Sequence, residues 1–172
     1  MLLDRSDCDR KLAEKFKTEY GRTHNFVHKF AQVVLPEEFD LLGTVYQSFL
    51  TEGVKNSTGS YYTERSVAQE LLDSLEAKPG ASFLDPCCGS GTFLILAQEM
   101  GLKICGMDSD PIAVMIAKAN LILSGAKEYP DVRVIDFVNR WKSERRRFDF
   151  AATNPPWSSK TKTFTPMSRA FS

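Results

Sequence analysis

Asp85-Pro86-Cys87-Cys88-Gly89-Ser90-Gly91-Thr92-Phe93-Leu94 lies between two apolar runs, 81–84 before it and 93–97 after it. That pattern reads as a strand, a tight glycine-bearing turn and a helix. The first N–H groups of such a helix have no partner within it and attract a carboxylate or other negatively polarised ligand. Gly89 and Gly91 allow close approach of the backbone and supply positive φ where the turn needs it. Asp85 stands at the carboxyl end of the strand, where ligands of open α/β sheets bind.

Downstream, the alternation repeats. Residues 103–107 form a second strand closed by Asp108, and Asp108-Ser109-Asp110-Pro111 starts a helix with Ile112, Met115, Ile116 and Ala119 inward that stops by Gly125. Residues 132–135 form a third strand ending in Asp136-Phe137. An irregular basic stretch, 138–147, leads to a fourth strand over 148–153, which delivers Asn154-Pro155-Pro156-Trp157. Strand, helix, strand, helix, strand, loop, strand predicts an α/β, doubly wound parallel sheet with right-handed crossovers. Asp85, Asp108 and Asp136 then collect on one edge of that sheet, with the glycine loop and Asn154.

Upstream of the loop, a helix is expected to start at Thr63 as N-cap, with Glu64 against the dipole and Val67, Leu71, Leu72 and Leu75 buried. Lys78-Pro79-Gly80 turns the chain into the first strand, and 53–62 is a polar, glycine-bearing loop. Residues 5–50 read as helical. Leu12, Ala13, Phe16 and Tyr20 share a face before Gly21, then come Phe26, Val27, Phe30 and Val33, and then Phe39, Leu42, Val45, Tyr46, Phe49 and Leu50. The expected organisation is a helical N-terminal region (1–52), a ligand-binding half-domain (53–157) and a mobile tail (158–172).

The totals bound the function. The 172 residues suffice for one domain, and 42% hydrophobic with 26% charged residues is ordinary for a globular chain. Acidic and basic residues balance at 22 each, so nucleic acid would be held by a local patch or by another polypeptide. Lys142, Arg145, Arg146 and Arg147 read as a solvated surface or a phosphate contact, and Lys160 and Lys162 are better phosphate candidates. Charges come too early for a signal peptide and no apolar run spans a bilayer, so a cytoplasmic location is expected. The four cysteines and two histidines offer no zinc-type spacing, His24 and His28 lack a third ligand, and no metal is expected.

A carboxylate about 20 residues beyond a glycine loop suits ribose hydroxyls, and Asp108 holds that place. Asp136 can accept from an adenine amino group while Phe137 covers the ring. A helix cap is the bland alternative for any one aspartate; three on one edge imply a nucleoside-bearing cofactor. The two prolines after Asn154 stiffen the backbone, so the Asn154 amide oxygen and the Pro155 carbonyl form two fixed acceptors. Accepting both hydrogens of a planar aromatic amine localises its lone pair and stabilises the charge that develops on nitrogen. Trp157 offers a stacking face for a base drawn out of its helix.

With those residues in place, the chain resembles the amino-terminal part of an S-adenosylmethionine-dependent N6-adenine DNA methyltransferase of type I and fused type II restriction–modification systems. Asp85–Phe93 resembles the family's cofactor loop. Asn154-Pro155-Pro156-Trp157 resembles its catalytic motif, with Trp where Tyr or Phe is commoner. Gly59-Ser60-Tyr61-Tyr62-Thr63 resembles its upstream cofactor segment, with Glu64 in place of proline. The resemblance implies a Rossmann-like sheet and S-adenosylmethionine as cofactor. It assigns Tyr62 and Thr63 to the methionine end, Asp85 to the amino group, Asp108 to the ribose, and Asp136 with Phe137 to the adenine, with Ser109 and Asn154 also among the cofactor-binding residues. Pro86, Cys87, Gly89, Ser90, Gly91, Thr92 and Phe93 form the loop, and Asn154, Pro155, Pro156 and Trp157 take the target amine. The family's sheet has seven strands and a recognition domain. The expected partners are therefore DNA and a polypeptide completing the enzyme, or a second copy paired along 148–153. A binding or assembly module with a remnant pocket, and transfer to protein glutamine or RNA, are the alternatives.

Overall fold

The computed structural model describes residues 9–21, 63–137 and 146–155. The helices expected over 26–50, the loop 53–62, Tyr62, Lys142, Arg145, Pro156, Trp157 and the tail 158–172 lie outside the described residues.

The elements in chain order are α1 (Arg10–Tyr20), α2 (Arg65–Asp73), β1 (Ser82–Asp85), α3 (Thr92–Glu99), β2 (Lys103–Asp108), α4 (Pro111–Leu123), β3 (Val132–Val134) and β4 (Phe150–Ala151). All strand pairs are parallel and the sheet order is β3-β2-β1-β4. The chain thus runs outward from β1 through β2 to β3, then returns to place β4 on the other side of β1. The crevice beyond the carboxyl ends of β1 and β4 is the switch point at which sheets of this kind bind ligands.

Strand periodicity sorts the residues by face. Phe83 faces the main core with Leu94, Leu96, Val114, Leu121 and Leu72, contributed by α2, α3 and α4. Leu84, Cys105 and Met107 form a second cluster with Ile135, Phe137, Phe148 and Ala151. Asp85 pairs in register with Gly106, so Asp85 and Asp108 continue the helix-covered face two residues on from Phe83 and Gly106. Gly106 admits α3 closely: a Cβ there would lie 2.5 Å from Leu94 Cδ1, 3.2 Å from Val132 Cγ1 and 3.3 Å from Cys88 Sγ.

The first helix forms as its pattern predicts. Asp9 caps it by accepting from the N–H groups of Lys11 (2.8 Å) and Leu12 (3.3 Å), and Gly21 follows its last turn with φ +76°. Its buried Ala13 and Phe16 pack on Ala119 and Ile122 of α4. Beside them the Glu19 carboxylate accepts from Lys118 Nζ and the Tyr129 hydroxyl. Burial alone would raise the Glu19 carboxyl, but those two hydrogen bonds and the lysine charge hold it below its ordinary value. Lys118 Nζ also lies 5.2 Å from the Tyr129 ring centre and 5.6 Å from that of Tyr20. A lysine that is nearly inaccessible in α4 is thereby satisfied by the end of α1.

Several expected details shift. The N-cap of α2 is Glu64, not Thr63, and no side chain caps the helix. Its buried residues are Ala68 and Leu72, with Leu75 packed alongside, whereas Val67 (47%) and Leu71 (49%) are half exposed. The small Ala68 lets α2 approach α3, and that contact selects the 68–72–75 stripe. In α4, Ile116 and Ala119 are buried and Met115 packs beside α1, but Ile112 stands at the open amino end, 49% exposed. β3 stops at Val134, although Ile135 N still donates to Asp108 O at 2.8 Å. β4 keeps two residues; just before it Asp149 N donates to Ser82 O at 3.1 Å, while the Asp149 carboxylate accepts from Ser82 N (2.8 Å) and Ser82 Oγ (2.7 Å).

Candidate functional site

The site is built at the carboxyl ends of β1, β2 and β4. From Asp85 the chain turns through Pro86, which is buried, and Cys87. Cys88 N then donates to Met107 O at 2.8 Å, fastening the loop to β2. Gly89 takes φ +52° and Gly91 φ +95°. At Gly91 a Cβ would also come within 3.2 Å of Ala117 Cβ, so neither the conformation nor the space suits a side chain. Asn120 of α4 donates from Nδ2 to Ser90 O at 3.0 Å and holds the loop from the far side. Helix α3 starts directly after Gly91 with no side-chain cap, so its amino end presents backbone donors to the crevice. Thr92 and Phe93 are both buried, and the Phe93 ring belongs to the main core. Phe93 therefore anchors the loop, and any contact it makes with a ligand comes from its backbone.

The carboxylates differ in environment. Asp108 accepts from Gly89 N at Oδ2 (2.8 Å) and from Asp110 N at Oδ1 (2.9 Å). Burial raises its carboxyl above the ordinary value, and the two backbone N–H groups offset part of that rise. The group is fixed in orientation and keeps lone pairs for further donors. Asp85 is only 1% exposed and accepts from Cys87 N at 3.2 Å. Burial pushes it up to about 7; the nearby Thr153 hydroxyl and Cys87 N–H counter this in part, and the charge of Asp108 adds to it. Among the described residues the buried Thr153 Oγ1 has no hydrogen-bond partner.

Asp136 and Phe137 follow β3. Asp136 is exposed, and Phe137 packs partly into the cluster on the second face of the sheet. Ser109 is exposed beside Asp108. The three carboxylates converge on Cys87: burial first, then Asp85, Asp108 and Asp136 in turn, push its thiol up to about 12. A thiol held so firmly protonated is a poor nucleophile. Asn154 and Pro155, both half-buried, come three and four residues after β4, across the crevice from the loop. Asn154 Nδ2 donates to Thr63 Oγ1 at 3.1 Å, joining the end of β4 to the entry of α2.

Sequence reasoning missed Asn120 and Thr153. A polar residue inside the apolar run 112–123 was the available signal for Asn120. Thr153 carried no signal beyond its place before Asn154. Arg146, grouped above with the basic cluster, is engaged internally: Nη1 meets Asp131 Oδ2 at 2.8 Å and Nη2 meets Cys105 Sγ at 3.2 Å.

A family model described as N-6 DNA Methylase matches residues 37–170. The chain belongs to this family. As an N-6 DNA methylase family member it is 35% identical over 147 residues to the type I restriction enzyme MjaIX methylase subunit of Methanocaldococcus jannaschii, covering 77% of this chain and 26% of that protein. It is 36% identical over 124 residues to the type II methyltransferase M.VspI of Vibrio sp. (strain 343), covering 69% of this chain and 30% of the relative. The type I restriction–modification system methyltransferase subunit of Streptococcus thermophilus superposes with a TM-score of 0.53 at 23% identity, over 74% of this chain and 30% of that one, a likeness of fold. This chain spans about a quarter to a third of the length of the curated relatives it matches. The parallel α/β sheet with flanking helices is the partial methyltransferase fold expected from the sequence.

Proposed function

We propose that this N-6 DNA methylase family member binds S-adenosylmethionine in the Asp85–Phe93 crevice and directs its methyl group to the N6 amine of an adenine flipped out of DNA, as part of a restriction–modification system. The observation that carries this reading is the meeting, at one switch point, of a buried acidic strand end, a positive-φ glycine loop and Asn154. The residues fit the cofactor. The buried Asp85 and the Thr153 hydroxyl, which has no partner among the described residues, suit an ammonium group, which supplies donors and positive charge together. Asp108, held by Gly89 and Asp110, suits a ribose diol, and the uncapped end of α3 suits a carboxylate.

Thr63, Pro86, Cys87, Ser90 and Thr92 border the same space in this reading, with Ser109, Asp136 and Phe137 toward the nucleoside, and the family resemblance assigns Tyr62 to the same cofactor. When bound, the cofactor supplies an electrophilic methyl carbon. The chain's own contribution is to orient and to stabilise charge. Asn154 Oδ1 and the Pro155 carbonyl accept the two amine hydrogens, which favours a pyramidal nitrogen with its lone pair localised. Pro156 stiffens that segment and Trp157 stacks on the extruded base. Transfer uses DNA and the polypeptide that supplies the rest of the sheet and the target-recognition surface, on the same or a separate chain. The cytoplasm is the compartment we assign, in keeping with free thiols at Cys87, Cys88 and Cys105. Among the described residues no helix is long and apolar enough to cross a membrane.

A calorimetric titration tests the cofactor site. We expect one S-adenosylmethionine per chain, with affinity reduced by at least roughly tenfold in Asp108→Ala, which removes the ribose acceptor and loosens the loop at Gly89. The absence of binding by the unaltered chain would point to a remnant pocket.

A further inference from the structure

We infer that Asn120 of α4 is a positioning residue for the cofactor loop: it draws the Ser90 carbonyl toward α4 and keeps that oxygen out of the space proposed for the cofactor's carboxylate. The inference rests on the cofactor reading proposed above. Asn120 is 4% exposed, in a helix whose other buried side chains are apolar apart from Lys118. An amide in such a place destabilises the fold unless it is bonded. Its Nδ2 donates to Ser90 O at 3.0 Å, across 30 residues of chain. A carbonyl oxygen only accepts, so it is the NH2 end of the amide that meets it.

The place of Ser90 gives that bond its consequence. Gly91 is the N-cap of α3, and its carbonyl accepts from Ile95 N at 2.9 Å, the start of the helix ladder. The Ser90 carbonyl comes one residue before it. The peptide joining Ser90 to Gly91 is held at both ends: Gly91 N donates to Cys88 O at 2.8 Å, closing a turn, while Asn120 takes Ser90 O. Ala117, three residues before Asn120, packs where a Cβ on Gly91 would come within 3.2 Å. One helix thus sets both the carbonyl direction and the path of the loop where α3 begins. A peptide released from Asn120 can turn its oxygen into the crevice. The negative end of that dipole would then oppose a carboxylate at the amino end of α3, whose N–H groups attract it.

The test uses two ligands, S-adenosylmethionine and its decarboxylated form, which keeps the ammonium, the sulfonium and the nucleoside. Calorimetry on the full chain should show the unaltered protein preferring S-adenosylmethionine. Asn120→Ala should raise the Kd for S-adenosylmethionine roughly tenfold and that for the decarboxylated ligand less than about threefold. Asn120→Asp keeps the shape of the side chain but at pH 8 sets a carboxylate against Ser90 O, and its effect should be at least as large and equally selective. Asn120 has a further interaction besides its bond to Ser90; losing that, or loosening α4 in general, would weaken both ligands alike. Equal losses for the two ligands, unchanged affinity for both, or an unaltered chain that binds the two equally would each overturn the inference. If Asn120→Ala loses the circular dichroism of the folded chain, the isosteric Asn120→Asp carries the comparison, and unfolding of both variants would mark Asn120 as a fold residue and overturn it too. An unaltered chain that binds neither ligand defeats the cofactor reading itself, a result that no Asn120 variant can produce, so the two failures are distinguishable.

Discussion

Asp85→Asn should stabilise the free protein at pH 8 while removing most of its affinity for S-adenosylmethionine. The carboxyl of Asp85, fully buried, titrates at about 7 against an ordinary 3.8, chiefly because burial penalises the charge. The folded state thus holds this proton more tightly than the unfolded chain does. The stability this contributes is fully present below pH 3.8 and is lost as pH rises through about 7. A shift of that size corresponds to on the order of 4 kcal/mol as an upper bound, since one pKa unit is about 1.4 kcal/mol. Asparagine keeps the shape and the acceptor for Cys87 N but carries no charge. Urea denaturation should therefore show Asp85→Asn more stable than the unaltered chain at pH 8, with the gap narrowing steadily as pH falls and closing only near pH 3.8. An equal or lower midpoint at pH 8 would contradict a buried, strained carboxylate.

The same strain serves binding. A cationic ammonium beside Asp85 favours the ionised form, so cofactor binding below pH 7 must release a proton. The apparent Kd should fall about tenfold per pH unit up to about 7 and level off above it. Calorimetry in two buffers of different ionisation enthalpy should detect the released proton near pH 6. Destabilisation of the empty site is then what makes it selective for a positively charged ligand group, a common trade between stability and activity.

Asn154→Ala should lower methyl transfer by roughly 10²–10³-fold or more, the usual effect of removing one preorganised hydrogen-bonding group from a reacting centre. Cofactor affinity should change little, because Asp85, Asp108 and the glycine loop, to which we assign that binding, are anchored to β1, β2 and α4 without Asn154. Parallel losses of rate and cofactor affinity would mean that Asn154 supports the pocket and does not act on the amine.

Much of this arrangement was legible in the sequence because its signals are local. The strand–glycine–helix pattern around Asp85, the apolar face of Leu12, Ala13, Phe16 and Tyr20 stopped by Gly21, and an aspartate at or just beyond each of the first three strands all follow from periodicity and end signals within a few residues. What escaped depends on distant contacts. Thr63 reads as a helix cap until Asn154, 91 residues on, claims its hydroxyl. The α2 helix has two plausible apolar stripes, and the approach of α3 over Ala68 selects between them. β4 reads as six residues but pairs over two, and the Asp149 side chain, not only its backbone, bonds Ser82 at the strand's start. Asn120 looks like an exception within an apolar helix, and only the folded loop shows that its amide holds Ser90.

The central claim, that this crevice presents a methyl donor to an adenine amine, is tested most directly by the identity of the labelled product. DNA is incubated with methyl-labelled S-adenosylmethionine and the chain, together with the polypeptide completing its sheet, and then digested to nucleosides. The account predicts label in N6-methyladenine, lost in Asn154→Ala. Label in a cytosine product or in protein, or N6-methyladenine formed equally well by Asn154→Ala, would contradict it.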